Sequence, residues 1–222
     1  GWGASMLRVE PRRDLVSVVR AKLALRVLNV LVRAVHGRFR FKGVEVVVPK
    51  GCFAPTFVST SLLYDTALDA VKGCKLGCEI GTGVGSLALA LVGSLGVEIV
   101  GTDVDLRCLR EAGLNARRNS LDPLFHAVAC VNAQALRGDS FDFVVINPPY
   151  LPLPPEGSAG TAACGGPQLE LLNAMLQDGV RVARKGGLIV FTTSSLTTVS
   201  GAKLVGERWA VLDSVRSYLY VK

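Results

Sequence analysis

The stretch LGCEIGTGVGSLALALV, Leu76 to Val92, runs from an apolar segment through three closely spaced glycines into a second apolar segment. The first segment has the length of a buried strand, and the second has the length of a helix. Glycines between a strand and a helix allow a tight turn and the close approach of a ligand to the backbone. The stretch therefore predicts a strand–loop–helix unit with a ligand site at its turn.

Apolar strands alternate with amphipathic helices beyond that unit. This rhythm predicts a parallel sheet with helices on both faces, which is an α/β, doubly wound architecture. Strands are predicted at 75–80, 97–103, 125–131, 141–147 and 186–194, and helices at 61–71, 84–92, 106–119 and 168–185. Irregular loops are predicted at 51–60 and 152–167, and a short terminal hairpin over the last 20 residues.

The first 50 residues are predicted to form a helix and β-hairpin extension, and residues 51–222 the main domain. The helix is predicted at 14–36 and the hairpin at 39–48. Lys22, Arg26, Asn29 and Arg33 form a narrow stripe on this helix, while apolar residues fill most of the remaining circumference. So wide an apolar arc predicts burial against the main domain or another chain. The stripe is interpreted as a solvated face, with a membrane-surface or nucleic-acid contact as the alternative.

Composition limits the class of protein. Half of the 222 residues are apolar and the net charge is +7. This is enough apolar material for a sizeable core. The sequence contains no uninterrupted run of about 18 apolar residues, so we expect no membrane span. We expect no signal peptide; whether residues 1–5, GWGAS, are native or a cloning remnant stays open. The charge indicates either an acidic partner, such as nucleic acid or an acidic protein, or simple solubility.

Six cysteines, at positions 52, 74, 78, 108, 130 and 164, lack the paired spacing of a metal site. We therefore predict no metal. Buried thiols are one interpretation, and a disulfide, as found in intracellular proteins of hyperthermophiles, is the other.

Two acids indicate the ligand of the glycine turn. Glu79 lies two residues before Gly81, and Asp103 ends the next strand about 20 residues on, where a carboxylate can bind both hydroxyls of a ribose. The GxGxG spacing differs from the GxGxxG of NAD-binding folds, and an acid in the first loop suits a cationic ligand. S-adenosylmethionine, with its α-amino group and sulfonium, is such a ligand, and the Asn132 amide is a candidate for its adenine edge. Loop capping is the alternative role for the acids.

The candidate cofactor-binding residues are Glu79, Gly81, Thr82, Gly83, Gly85, Asp103, Val104, Asn132 and Asn147.

The segment VVINPPYLP, Val144 to Pro152, ends the fourth of these strands, because a strand cannot continue through two prolines. The side-chain oxygen of Asn147 and the carbonyl of Pro148 can each accept an N–H from a planar acceptor nitrogen, which aims its lone pair at a methyl donor. Tyr150 can pack on the flat face of the acceptor. The candidate catalytic residues are Asn147, Pro148 and Tyr150. A strand terminator without chemistry is the alternative.

These motifs together resemble class I S-adenosylmethionine-dependent methyltransferases, and among them the HemK/PrmC family of release-factor glutamine methyltransferases. CEIGTGVGSLALAL, GTDVDLRCLREAGLNA and FDFVVINPPYLP carry the resemblance, together with the Gly-Gly stretch GGPQLELLNAML, the late strand GGLIVFTTSSLT and the proline-bearing FKGVEVVVPKGCFAP. The resemblance covers roughly residues 38–195, and the short N-terminal region looks like the archaeal and eukaryotic branch.

The resemblance implies a seven-stranded Rossmann-like sheet and a cytoplasmic enzyme that methylates the glutamine amide of a Gly-Gly-Gln loop in a translation release factor. It implies that Glu79, Gly81, Gly83 and Asp103 bind S-adenosylmethionine. It also implies a small zinc-binding activator protein as partner, for which the region from Asp103 to Asn119 is a natural place. The sequence departs from the family at Asn132, where an acid is usual, and at Val58, where an acid precedes the Thr or Ser.

Two other functions stay open. A nucleic-acid amino-methyltransferase, acting on adenine N6, guanine N2 or cytosine N4, would use the same NPPY chemistry on a conjugated nitrogen. Such an enzyme usually carries an additional nucleic-acid-binding region to extrude its base, and only the basic N-terminal helix is a candidate here. A non-catalytic binding subunit of the same fold is the third interpretation, and the presence of Glu79, Asp103 and NPPY disfavours it.

Overall fold

The computed structural model of the protein describes residues 6–157, 159–210 and 212–222. The opening GWGAS lies outside these ranges. The strands are β1 Arg8–Pro11, β2 Gly37–Phe41, β3 Val44–Val48, β4 Leu76–Ile80, β5 Glu98–Asp103, β6 Phe125–Ala129, β7 Phe141–Ile146, β8 Ala183–Ser194, β9 Thr197–Ser200, β10 Lys203–Trp209 and β11 Ser214–Val221. The helices are α1 Leu15–Ala34, α2 Val58–Ala70, α3 Ser86–Leu95, α4 Leu106–Arg118, α5 Gly160–Ala163 and α6 Glu170–Val182.

Seven strands form the central sheet in the order β10-β11-β8-β7-β4-β5-β6. Strands β6, β5, β4, β7 and β8 run parallel to one another, while β11 is antiparallel to both β8 and β10. The prediction of a doubly wound, mostly parallel seven-stranded α/β sheet is confirmed. The predicted terminal hairpin is confirmed, and it extends the main sheet, because β11 pairs with β8 from Val215 to Val221.

Apolar cores cover both faces of the sheet. On one face, Leu63 of α2, Leu89 of α3 and Ala112 of α4 pack against strand residues such as Val145. On the other face, α6 packs Leu172 and its neighbours against Ile146 and the residues beside it. Successive strand residues therefore point into different cores, which explains why these strands are apolar without interruption.

The N-terminal region packs against the rest of the chain at several points. Strand β1 pairs antiparallel with β9. The hairpin β2–β3 is held by Asn115 of α4 and by Asn119, which caps its C-terminus: Asn115 bonds to both backbone groups of Val47, and Asn119 does the same for Glu45. The division of the chain at residue 50 stays a prediction.

Helix α1 does not bury the wide apolar arc against the main domain, so that alternative of the prediction is wrong. Only Ala21 and Val32 of the helix are buried, while Val16 is 58% and Val30 is 66% exposed. Helix α1 contacts the rest of the protein along a narrow face. One residue of the polar stripe, Asn29, lies on this face, because it accepts a hydrogen bond of 2.7 Å from the Ala159 amide. The other three stripe residues are solvated, as expected.

Two element boundaries differ from the prediction in ways that matter for the site. Helix α2 begins at Val58 and not at residue 61, so Ser59 and Thr60 lie in its first turn and not in a loop. The segment 152–167 contains the short helix α5. Within the described ranges, no helix is both long and apolar enough to cross a membrane.

Candidate active site

The glycine turn joins β4 to α3 at the carboxyl edge of the sheet. The amides of Gly81 and Thr82 both donate to the Thr102 carbonyl, at 2.9 and 2.8 Å, which ties the turn to β5. Gly85 caps α3 with a φ of +85°, and a Cβ there would lie 3.1 Å from the Ala112 Cβ, so the turn and the approach of α4 both favour glycine. Gly83 has a φ of +57° and open space within 4 Å of where a Cβ would lie. The turn therefore leaves room at Gly83 for a ligand that approaches the backbone.

Glu79 lies under this turn and not on its surface. It is 3% exposed, and its carboxylate accepts a 2.5 Å hydrogen bond from the Thr82 hydroxyl. Burial raises the pKa of Glu79 to about 8, although the bonds from Thr82 and the Ala88 amide lower it, and the charge of Asp103 adds to the increase. A buried acid of this kind favours a cationic neighbour, because a cation would restore its charged form.

Asp103 is oriented by the backbone on both sides. One carboxylate oxygen accepts from the Gly83 amide at 2.8 Å, and the other accepts from the Asp105 amide at 2.9 Å. Each oxygen can accept more than one hydrogen bond. Asp103 can therefore bind two vicinal hydroxyls while these two amides hold it in place.

Val104 and Asn132 follow the ends of β5 and β6, which are neighbours in the sheet. Val104 is 64% exposed. Asn132 is half-buried in a left-handed backbone conformation, and its carbonyl accepts a 2.5 Å hydrogen bond from the Thr102 hydroxyl. Both residues thus border the same edge as Asp103, with Val104 as an apolar surface and Asn132 anchored through its backbone.

Asn147 lies at this edge between the glycine turn and strand β8. Because Ile80 pairs with Ile146, the residues that follow them, Gly81 and Asn147, emerge side by side. The Asn147 oxygen accepts a 2.7 Å hydrogen bond from the Thr192 hydroxyl. Its nitrogen donates to the hydroxyls of Ser59, at 3.3 Å, and Thr60, at 3.5 Å. The amide is held from two sides and still has one acceptor position on its oxygen.

The two prolines and Tyr150 continue from Asn147 into a pinned segment. The Leu151 amide donates to the Ala163 carbonyl, and the Leu151 carbonyl accepts from the Gly165 amide, each at 2.9 Å. Tyr150 packs between two apolar clusters, and burial raises the pKa of its hydroxyl. This tyrosine is therefore a neutral, planar surface and not a base at neutral pH.

Gly165 explains part of the Gly-Gly stretch. A Cβ at this position would lie 2.4 Å from the Pro149 carbonyl oxygen, so only glycine allows the two segments to approach this closely. The sequence indicated the stretch only through resemblance, and the contact gives it a physical reason.

The structure thus brings all the sequence-predicted site residues to one edge of the sheet. Two of them serve the turn itself: the Thr82 hydroxyl donates to the Glu79 carboxylate, and Gly85 caps α3 against Ala112. Sequence reasoning missed Thr192, although it lies in FTTS, where an apolar strand becomes polar at its carboxyl end. That change in polarity is the signal that could have indicated it.

The disulfide interpretation holds for one pair of cysteines, and the buried-thiol interpretation holds for Cys78 and Cys164, whereas Cys74 and Cys130 are only half-buried. Cys52 and Cys108 form a disulfide with 5.9 Å between their Cα atoms, and Cys74, Cys78, Cys130 and Cys164 are free thiols. Burial raises the pKa of the Cys78 thiol above its usual range. Among the described residues, no group of three or more acidic, histidine or cysteine side chains has the geometry of a metal site.

The family described as "Methyltransferase small domain" matches residues 45–195. The chain therefore belongs to the methyltransferase small domain family.

Curated relatives agree with the resemblance seen in the motifs. A release factor glutamine methyltransferase of Bradyrhizobium diazoefficiens is 45% identical over 75 residues, which are 33% of this chain and 25% of that protein. A second one, of Gloeobacter violaceus, is 28% identical over 82% of this chain and 68% of that protein. A Methanocaldococcus jannaschii protein, provisionally named a protein N5-glutamine methyltransferase, is 29% identical over 54% of this chain and 61% of that protein. The chain thus spans a quarter of the length of the first relative.

Solved structures confirm the fold. An Escherichia coli protein provisionally described as the methyltransferase yhhF has a TM-score of 0.60 at 18% identity, over 83% of this chain and 98% of that one. A provisionally described transferase of Pyrococcus horikoshii has a TM-score of 0.57 at 11% identity, over 83% of this chain and 72% of that one. The architecture is that of a class I methyltransferase.

Proposed function

We propose that the protein is an S-adenosylmethionine-dependent methyltransferase that modifies the side-chain amide nitrogen, N5, of the glutamine in the Gly-Gly-Gln motif of a translation release factor. The observation that carries this proposal is the Asn147 amide, held between Thr192 and Ser59 beside the glycine turn. A release factor acts on ribosomes, so the proposal includes a cytoplasmic location.

The cofactor end fits S-adenosylmethionine in shape and charge. Gly83 leaves open space beside the backbone, Asp103 is set to bind the two ribose hydroxyls, and Glu79 is a buried acid that favours a cation. Val104 and Asn132 are assigned to the adenine. When bound, S-adenosylmethionine supplies an electrophilic methyl carbon on a sulfonium.

The acceptor end fits a planar primary amide. We assign to the Asn147 oxygen the acceptance of one N–H of the substrate glutamine, and to the Pro148 carbonyl the acceptance of the other. An amide lone pair is delocalised, so holding both hydrogens directs the nitrogen at the methyl group and stabilises the charge that grows on it. Tyr150 packs on the flat face of the amide. The product nitrogen loses its extra proton readily, so no base is required before attack.

The names of the relatives favour glutamine as the acceptor. A nucleobase amino group is the second candidate, because Asn147 and Pro148 would serve a conjugated amine equally well. The net charge of +7 is the observation that favours it. The two candidates share every residue of the site and differ only in what docks on the surrounding surface.

A small zinc-binding activator protein is proposed as partner. Such a partner needs an apolar surface, and Val104 and Leu106, at the start of the region assigned to it, are 64% and 67% exposed. Covering them would also enclose the adenine side of the cofactor. This gives the activator a physical role, because it would remove Val104 and Leu106 from water.

Transfer of a radiolabelled methyl group from S-adenosylmethionine tests the proposal. The protein is offered a release factor and total RNA in parallel, with and without a candidate zinc-binding protein. The control substrate is the same release factor with its Gly-Gly-Gln glutamine replaced by alanine.

Label on the factor that disappears with the replaced glutamine supports the proposal. Label on RNA alone would identify a nucleobase as the methyl acceptor. The basic residues of the stripe on α1 would then be the next to mutate. No label on either, with the activator present, contradicts both.

A further inference from the structure

We infer that Thr192 is a positioning residue whose hydroxyl determines which end of the Asn147 amide faces the acceptor nitrogen. The inference rests on the proposed function, because it is the proposed reaction that gives the Asn147 oxygen its task. Thr192 does not itself have to touch the substrate or the cofactor.

The sheet register places Thr192 beside Asn147. Strands β7 and β8 are parallel, and Ile146 pairs with Phe191, so the next residue on each strand emerges at the same edge. Thr192 is fully buried, with 0% exposure, although threonine is polar. Its hydroxyl donates to the Asn147 oxygen at 2.7 Å. Because Thr192 is buried, water does not compete for its hydroxyl, and the hydrogen bond to Asn147 takes the place of one to solvent.

The bond length favours one orientation of the amide. O–H···O bonds are commonly about 2.7–2.8 Å long, whereas N–H···O bonds are about 2.9–3.0 Å. The contact from Thr192 to the amide oxygen, at 2.7 Å, has the length of an O–H···O bond, whereas the contacts from the amide nitrogen to Ser59 and Thr60, at 3.3 and 3.5 Å, are longer than usual N–H···O bonds. The tight bond lies on the oxygen side, and the looser ones on the nitrogen side.

The orientation of the Asn147 amide matters because its oxygen accepts hydrogen bonds and its nitrogen donates them. The oxygen accepts a hydrogen bond from the acceptor N–H, whereas an amide turned by half a rotation would present N–H to N–H. Without the Thr192 hydroxyl, the tight bond that holds the oxygen is lost, and only two long bonds restrain the rotation. A fraction of molecules would then present the wrong end, and the correct ones would be held less firmly.

The test compares Thr192→Val with Thr192→Ser and Thr193→Val. Valine keeps the shape of threonine but removes the hydroxyl, and serine keeps the hydroxyl. Thr193→Val is the matched control, because Thr193 is the adjacent fully buried threonine and its hydroxyl bonds to Thr197. Thr192→Ala is a second variant without the hydroxyl, in case valine prevents folding.

We measure kcat, KM for the acceptor, and the dissociation constant of S-adenosylmethionine by calorimetry, on whichever acceptor the wild-type protein labels. The expected result is a fall in kcat of roughly tenfold for Thr192→Val and Thr192→Ala, the size of one net hydrogen bond. Cofactor affinity stays within about twofold, and Thr192→Ser and Thr193→Val keep most of the wild-type kcat.

Equal losses in Thr192→Val and Thr193→Val would reduce Thr192 to a structural residue and overturn the inference. So would a loss in Thr192→Ser as large as in Thr192→Val, or a loss explained by weaker cofactor binding. A wild-type protein that labels no acceptor contradicts the proposed function, and the inference fails with it. Labelling of RNA instead of the factor contradicts only the acceptor, since the wild type and the same four variants are then compared on RNA.

Discussion

The Thr82 hydroxyl donates a hydrogen bond of 2.5 Å to the carboxylate of Glu79, three residues before it. A residue of the glycine turn, Thr82, thus covers the carboxylate of the strand that precedes the turn. Burial raises the pKa of Glu79 to about 8 despite this bond, so the group can exchange a proton near neutral pH. The binding of a cation beside it would be coupled to that exchange.

The first prediction concerns this coupling. With a free-state pKa of about 8, Glu79 is mostly protonated below that pH, and a cationic ligand favours the carboxylate. Binding then releases a proton, so the affinity for S-adenosylmethionine should rise with pH towards 8 and level off above it. In Glu79→Gln this rise should be absent. Calorimetry from pH 6 to 9, in two buffers of different ionisation enthalpy, measures both affinity and proton release.

The ligand's own α-amino group titrates with either protein, so the difference between wild type and Glu79→Gln isolates Glu79. Parallel pH profiles for the two proteins would contradict the coupling.

Asp103→Ala should weaken S-adenosylmethionine binding by about 10- to 100-fold, because two hydrogen bonds to a charged group are lost. Asp105→Ala is the matched control. Asp105 caps α4 by accepting from the Arg107 and Cys108 amides, so its loss should cost about 1 kcal/mol of stability and leave cofactor affinity nearly unchanged. Calorimetry and denaturant unfolding separate the two effects. An unchanged affinity in Asp103→Ala would refute the ribose assignment.

Asn147→Ala should abolish methyl transfer and leave cofactor binding largely intact, because the amide is assigned to the acceptor and only borders the donor. Loss of one preorganised partner of the transition state commonly costs about 100- to 1000-fold in kcat. Single-turnover transfer and calorimetry on the same samples provide the comparison. If both measurements fall together, the role of Asn147 is structural or shared with the cofactor.

Gly165→Ala should lower kcat by displacing the NPPY segment. Its new methyl group would lie 2.4 Å from the Pro149 carbonyl oxygen, which is backbone and has to move. Overpacking of this kind costs about 1–3 kcal/mol of stability. Gly113→Ala in α4 is the control, because nothing lies within 4 Å of its Cβ and alanine favours a helix by up to about 1 kcal/mol. Wild-type activity in Gly165→Ala would show that the segment tolerates the shift.

Reduction of the Cys52–Cys108 disulfide should lower the free energy of unfolding by about 4 kcal/mol, because the bond closes a loop with a sequence separation of 56 residues. Cys52→Ser with Cys108→Ser should reproduce the loss, and Cys74→Ser, at a free half-buried thiol, should not. Urea unfolding with and without reductant measures the difference. Equal stabilities of the oxidised and reduced protein would exclude a stabilising role.

Much of this protein was predictable from local patterns. The apolar run and the glycine spacing predict the strand–turn–helix around Gly81 to Gly85, because both signals depend on residues close together in the chain. The end of β7 at Ile146 followed from the two prolines that come after Asn147. The prediction for α1 was less complete: an apolar arc indicates a preference for burial but not whether the fold offers a surface to cover it.

The alternation of strands and helices, the glycine turn and the acids and amide at the strand ends can all be predicted from local sequence, since they arise from periodicity and from the backbone limits of glycine and proline. The contact of Thr192 with Asn147, across 45 residues of chain, and the pairing of Cys52 with Cys108 are seen first in the folded protein. Such pairs depend on strand order and on helix packing, which bring together residues that no local pattern connects.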